Sequence, residues 1–307
     1  MPVKMQAMKH VHANGIEFAY LEQGTGPLVL LLHGFPDNAS SWSHQMPALA
    51  AAGFRAIAPY LRGYPPSEIP ADGFYDRATL TADIAELIRQ LGNGQRVHLI
   101  GQDWGAAIAY AVLAATPELI DRAVVMAVPH PALVARSLLD ARHVHHSFHW
   151  FFFQLPGLPE QALAANDFAF IDYLWQHWSA PGHEDPAHIG EIKRMLAQPG
   201  VLSATLGYYR AMFDPRNADP RLETMRQSMN RPIPVPTLAL CGSVDPRAEL
   251  MQDQAMFFTG EYRYEVVPEA GHFLHREQPA AVNRLILDWL APTSLASRTE
   301  EGPHSNE

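Results

Sequence analysis

Cysteine is almost absent: the 307 residues contain one, Cys241. A single thiol cannot close an internal disulfide or furnish a thiolate-rich metal site. Its place in the apolar run Thr237–Cys241 marks it as a small buried side chain. Basic charge is also scarce. With 22 Lys+Arg against 32 Asp+Glu, the formal net charge is -10, which argues against a nucleic-acid partner and against docking on an anionic membrane surface. Long hydrophobic runs are missing. The longest, around Pro27–Leu32, falls far short of a membrane span. The start of the chain carries a lysine but no apolar stretch of the secretory kind, so a cytoplasmic location is the expectation. No internal repeat is visible.

What is present is an alternation of short apolar runs with longer helical patterns. Gly15–Leu21, Pro27–Leu32, Arg55–Ala58, Arg96–Ile100, Arg122–Ala127, Thr237–Cys241 and Tyr262–Val267 read as strands, most of them buried on both faces. Arg77–Leu91, Gly105–Thr116 and Ala280–Leu290 read as helices between them. Strands alternating with helices predict a doubly wound, mostly parallel sheet, with ligands at the carboxyl ends of its strands. The alternation fails between 132 and 231, where aromatics such as Trp150, Phe151, Phe152, Phe153, Trp175 and Trp178 crowd a helix-like stretch. The expected organisation is a core of 1–131 and 232–292, an inserted helical lid over 132–231, and a disordered polar tail from 293 to 307.

The chemistry-bearing segment is Gly101-Gln102-Asp103-Trp104-Gly105, a strand end followed by a tight turn and a helix start. This is the nucleophile-elbow pattern, with Asp rather than Ser at its apex. Alone, the pentapeptide also fits a turn or a helix cap. A carboxylate attacks carbonyl carbon poorly but displaces a leaving group at sp3 carbon, forming an ester of the enzyme itself. Water must then attack that ester through a tetrahedral oxyanion, which needs backbone N–H donors. The turn His33-Gly34-Phe35-Pro36 offers the Phe35 N–H, and the Trp104 N–H lies beside the nucleophile. His272, in Gly271-His272-Phe273 after the last strand, is the expected base. Asp245, after the preceding strand, would orient it. His33 and His275 are weaker candidates for the base. The order nucleophile, acid, base is that of the α/β hydrolases.

On His33-Gly34-Phe35-Pro36, Leu61-Arg62-Gly63-Tyr64, Gly101–Gly105, Gly271-His272-Phe273-Leu274 and Glu277-Gln278-Pro279, the chain resembles the epoxide hydrolase and haloalkane dehalogenase branch of the α/β-hydrolase superfamily. The resemblance runs to about Leu290. It implies Asp103 as nucleophile, His272 as base and Asp245 as acid. Family epoxide hydrolases open the ring with two lid tyrosines. Tyr208-Tyr209-Arg210 matches one of these segments and gives Tyr209. In Phe152-Phe153-Gln154-Leu155-Pro156-Gly157 the other tyrosine is replaced by Phe152. The chain is similar here to a bacterial subgroup with a His a few residues earlier, which implies His149 in His149-Trp150-Phe151 as the second donor. Its alternative role is as one of a surface cluster with His143, His145 and His146, which has no carboxylate or Cys at metal-ligand spacing. Trp150, Phe152, His33 and Pro36 are expected against an apolar epoxide, with no cofactor or metal, in a monomer or homodimer. The runner-up is a haloalkane or fluoroacetate-type dehalogenase. The latter is disfavoured because no Arg follows the nucleophile in Gly105–Ala114.

Overall fold

The computed structural model describes residues 8–291. The tail expected from 293 lies outside them. Eight strands form one sheet in the order β1-β2-β4-β3-β5-β6-β7-β8. They are β1 Lys9–Ala13, β2 Ile16–Gln23, β3 Leu28–Leu32, β4 Arg55–Pro59, β5 Val97–Gln102, β6 Ile120–Met126, β7 Thr237–Gly242 and β8 Tyr262–Val267. From β4 across to β8 all pairings are parallel, while β1 and β2 join antiparallel at one edge. Helices cover the inner strands, so β3 and β7 are apolar and buried along their whole length. Strand β1 was not foreseen. Its sequence, Lys9-His10-Val11-His12-Ala13, is largely exposed, and the Asn14-Gly15 turn that pairs it with β2 has both residues at positive φ, the geometry a two-residue hairpin favours.

The helices are α1 Gln45–Ala51, α2 Arg77–Leu91, α3 Trp104–Ala115, α4 Pro131–Ser137, α5 Ala141–His146, α6 Phe148–Phe152, α7 Leu158–Trp178, α8 Pro186–Leu196, α9 Val201–Phe213, α10 Glu223–Ser228, α11 Arg247–Gln252, α12 Leu274–Glu277 and α13 Pro279–Leu290. Helices α4 to α10 all fall between β6 and β7, and α7 breaks at Ala165–Phe168, where the backbone leaves helical geometry. No helix among the described residues is long and apolar enough to cross a membrane.

The order in which strands are laid down reverses at the centre of the sheet: β4 lies on one side of β3 and β5 on the other. The carboxyl ends of β3 and β5 are therefore the switch point where such sheets bind ligands. The His33–Pro36 turn leaves β3 there, and Asp103 leaves β5.

Buried charge fixes the loops around this point. Arg62 grips Asp83 through two hydrogen bonds, Nε–Oδ2 at 2.7 Å and Nη2–Oδ1 at 2.8 Å, and both side chains are almost wholly buried. The Tyr208 hydroxyl donates to the Arg62 carbonyl at 2.7 Å, which ties α9 to the same loop. On the other side, His188 of α8 meets Asp37 at 2.7 Å, and Asp37 accepts the Ser41 hydroxyl, itself 2.6 Å from His275 Nε2. Removing one partner from a buried pair strands the other. Arg62→Leu is expected to destabilise the protein by about 3–5 kcal/mol in urea unfolding, and Arg62→Leu/Asp83→Leu by clearly less. A double variant no more stable than the single would refute this account of the pair.

Candidate active site

Asp103 occupies the turn between β5 and α3 at φ 52°, ψ -119°, a region that L-residues resist. The turn is that tight because α3 starts against β3. A Cβ on Gly105 would sit 2.0 Å from the Leu32 carbonyl oxygen, and one on Gly34 would sit 2.4 Å from Asp103 Cβ. Only glycine admits either approach. Asp103 Oδ1 accepts the Phe35 N–H at 2.8 Å, and the Trp104 N–H also bonds the carboxylate. Burial pushes this carboxyl up, but His272 and the two N–H groups outweigh it and hold it below its ordinary range.

Asp103 Oδ2 faces His272 Nε2 at 3.3 Å, and His272 Nδ1 lies 3.1 Å from Asp245 Oδ2. The loop carrying His272 is anchored on every side. Gln102 donates to its carbonyl at 3.1 Å, and its own N–H donates to the Trp178 carbonyl at 2.8 Å. The Glu277 carboxylate accepts the N–H groups of Gly271, Phe273 and Ala180 at 2.7–2.9 Å, which gives the Glu277-Gln278-Pro279 segment its role. Burial draws the imidazole pKa down, but Asp103 and Asp245 more than offset this, so it is raised.

A cavity of about 190 Å³ opens above Asp103. Trp104, Tyr209 and Trp150 form part of its wall, with Val128, Val134 and Met212. Tyr209 is buried, its ring 5.3 Å from that of Trp104 and 5.4 Å from that of Phe35. The adjacent Arg210 turns away to Glu160, at 2.8 Å, and to the Phe153 carbonyl. His149 lies behind this wall, its ring centre 5.4 Å from Tyr209 and 4.8 Å from Trp178. Its Nδ1 is buried with no partner. Burial, then Arg247, holds the His149 imidazole neutral, well below its ordinary pKa.

Three expected substrate contacts do not line the cavity. Phe152 stacks on Phe170 instead. Both ring nitrogens of His33 are taken by backbone, with the Leu61 N–H on Nε2 at 3.1 Å and the Gly34 carbonyl 3.0 Å from Nδ1. The Pro36 carbonyl accepts the Trp175 indole N–H at 3.0 Å. His275, the weaker candidate base, belongs to the Ser41 network. Of the histidine cluster, His146 accepts from Arg247 at 2.9 Å. Among the described residues no group of three or more His, Cys, Asp or Glu is arranged to hold a metal ion.

A parallel sheet with a strained acidic elbow, a C-terminal imidazole and a helical insertion after β6 defines an α/β hydrolase, and the family profile described as the alpha/beta hydrolase fold matches residues 27–279. The chain belongs to that family, in the branch that holds the epoxide hydrolases. It is 32% identical to mouse epoxide hydrolase 4 over 297 residues, covering 90% of this chain and 77% of the relative. To epoxide hydrolase A of Mycobacterium tuberculosis it is 30% identical over 315 residues, covering 93% and 97%. The crystal structure of epoxide hydrolase VrEH1 from Vigna radiata superposes with a TM-score of 0.73 at 26% identity, covering 92% of this chain and 97% of that one.

Motif reading passed over Arg247. Its guanidinium is buried, 3.6 Å from Asp245 Oδ2 and 3.3 Å from His272 Nδ1, with His146 Nε2 at 2.9 Å on its far side. Burial and then the Arg247 charge take His146 down to about 3, so it stays neutral and accepts. Burial would raise the Asp245 carboxyl, but the Arg247 cation, followed by His272, keeps it well below the usual range. The same cation opposes protonation of His272. If His272 acts as the base, it must be neutral to do so, and activity would rise with pH as it loses its proton. Arg247→Met removes a nearby positive charge and raises the His272 pKa further. The acidic limb of the kcat profile is expected to move to higher pH, and a limb that stays put or moves to lower pH would exclude this electrostatic role.

Proposed function

We propose that the protein is an epoxide hydrolase working through an alkyl ester of Asp103, with 1–131 and 232–292 as the hydrolase core and 132–231 as its cap. The observation that carries the reading is the division of labour within one carboxylate. Oδ1 is held by the Phe35 N–H, while Oδ2 stands beside His272 in a residue that, with Tyr209, walls the cavity. Oδ2 attacks a ring carbon and the C–O bond of the epoxide breaks. The Tyr209 phenol, kept protonated because burial raises its pKa well above the ordinary value, supplies the hydrogen bond to the departing oxygen, with the neutral His149 ring packed behind it rather than in the cavity wall. The phenol gives it a proton, sparing a bare alkoxide in a dry site.

His272 then takes a proton from water, which adds to Asp103 Cγ. The oxyanion forms at Oδ1, which already accepts the Phe35 N–H, with the Trp104 N–H beside the carboxylate as the second donor. Collapse breaks the Cγ–Oδ2 bond. The diol leaves with Oδ2 and the proton from His272, and the proton left on the regenerated carboxyl returns to Tyr209. No cofactor enters the sequence of steps.

Asp103→Ala is expected to abolish diol formation, and His272→Gln to accumulate the ester, seen as a mass increase equal to the epoxide. A single turnover in 18O-water should place label in Asp103. Tyr209→Phe should slow alkylation by roughly ten- to a thousand-fold in rapid-quench measurements. Release of halide from haloalkanes or fluoroacetate, with epoxides inert, would instead establish a dehalogenase.

A further inference from the structure

The cavity wall contains one charged residue besides Asp103, and it is positive. Arg77, the first residue of α2, lines the same chamber as Asp103, Trp104 and Tyr209. Its Nε is buried with no hydrogen-bond partner. Burial lowers its pKa, and none of the ion pairs among the described residues includes it. Among the described residues, the three buried arginines are matched. Arg62 has Asp83, Arg276 has Asp185 and Arg247 has Asp245.

Arg77 also walls an adjoining groove of about 400 Å³, together with Trp104, Met212 and Arg226. Arg226 is paired there with Asp76 and Glu223. The nearby His130 brings no negative charge, and burial followed by the Arg77 cation takes its pKa down to about 4. Among the described residues, Arg77 is thus an unpaired guanidinium at the junction of the catalytic chamber and this groove.

Arg77 is partly exposed, its buried Nε lacking a partner, so its guanidinium depends on water until an anion answers it. A plain hydrocarbon epoxide would worsen matters, since it would strip water from the guanidinium and return nothing. On the proposed reading the ring oxygen already has its donor in Tyr209. A monoanion with two coplanar oxygens satisfies a guanidinium fork in a way no neutral group does.

We propose that Arg77 docks a carboxylate of the substrate, so that the natural substrate is an epoxy acid whose ring reaches Asp103 while its acid end rests on Arg77. The proposal rests on the reading of Asp103 as the epoxide-opening nucleophile, and it replaces the expectation of a purely apolar substrate. The sequence search for arginines beside the nucleophile missed this one because the fold, not the motif, brings the start of α2 to the chamber.

The test compares 5,6-epoxyhexanoate with its methyl ester in the wild type, Arg77→Gln and Arg77→Lys, alongside binding of the unreactive hexanoate and hexanamide by calorimetry. The wild type is expected to favour the acid over the ester in kcat/KM by about tenfold or more, the scale of a charge-assisted hydrogen bond. Arg77→Gln should erase that ratio and the tighter binding of hexanoate, and Arg77→Lys should keep most of both. Since the guanidinium is unpaired, Arg77→Gln should melt no lower than the wild type.

Equal handling of acid and ester by the wild type, or an acid preference that Arg77→Gln leaves intact, overturns the proposal. If no epoxide is opened, hexanoate binding that depends on Arg77 would sustain the carboxylate site while the epoxide reading falls. Hexanoate bound no better than hexanamide would reject the site itself.

Discussion

Asp103 is held in a backbone conformation that costs an L-residue on the order of 1–3 kcal/mol, and the surrounding architecture keeps it there. The parallel sheet delivers β5 to a bend with no room for a gentler path, because α3 begins against the Leu32 carbonyl. The strain turns the carboxylate out above the strand ends, within reach of the Phe35 N–H from the neighbouring turn. Two loops from adjacent strands therefore meet at one side chain. The catalytic layout is a consequence of strand order at the switch point.

The second organising theme is charge kept out of water. Asp103, His272, Asp245 and Arg247 form a chain of alternating sign with its members 3.1–3.6 Å apart. Each would be costly alone. The alternation keeps both carboxylates ionised at neutral pH, while the guanidinium restrains the imidazole from holding its proton too tightly. Tyr209 shows the reverse logic: burial beside a carboxylate keeps it a phenol and therefore a donor. Acid and base roles are sorted by environment more than by residue type.

Much of this was legible in the sequence where a segment's role is local. The strands β3 and β7 announce themselves as apolar runs with turn residues at their ends, and α2 as a periodic pattern between an N-cap and a glycine. The elbow is legible because its glycines are demanded by contacts a few residues away. Strand β1 was missed because its polar residues face water, although Asn14-Gly15 marked the hairpin. The misplaced contacts have a common cause. His33 and Pro36 sit in the right turn, but their polar atoms are consumed by Leu61, Gly34 and Trp175, and Phe152 lies on the face of α6 that meets Phe170. Arg77 and Arg247 were invisible for the converse reason. Neither belongs to a motif, and each matters only through residues that tertiary folding brings beside it.

The last turn of α7 has a mechanical consequence. Trp175 lies flat on Phe273 at 3.6 Å, the Trp178 carbonyl holds the His272 N–H, and Glu277 clasps Ala180 just beyond. That end of the insertion is riveted to the very loop that bears the imidazole. It cannot hinge upward like a clamshell without dragging the base off the nucleophile. Any breathing that admits a molecule must come from another part of the wall, which Val134 of α4 and Met212 of α9 also line. There, side chains can slide apart while the triad stays in register.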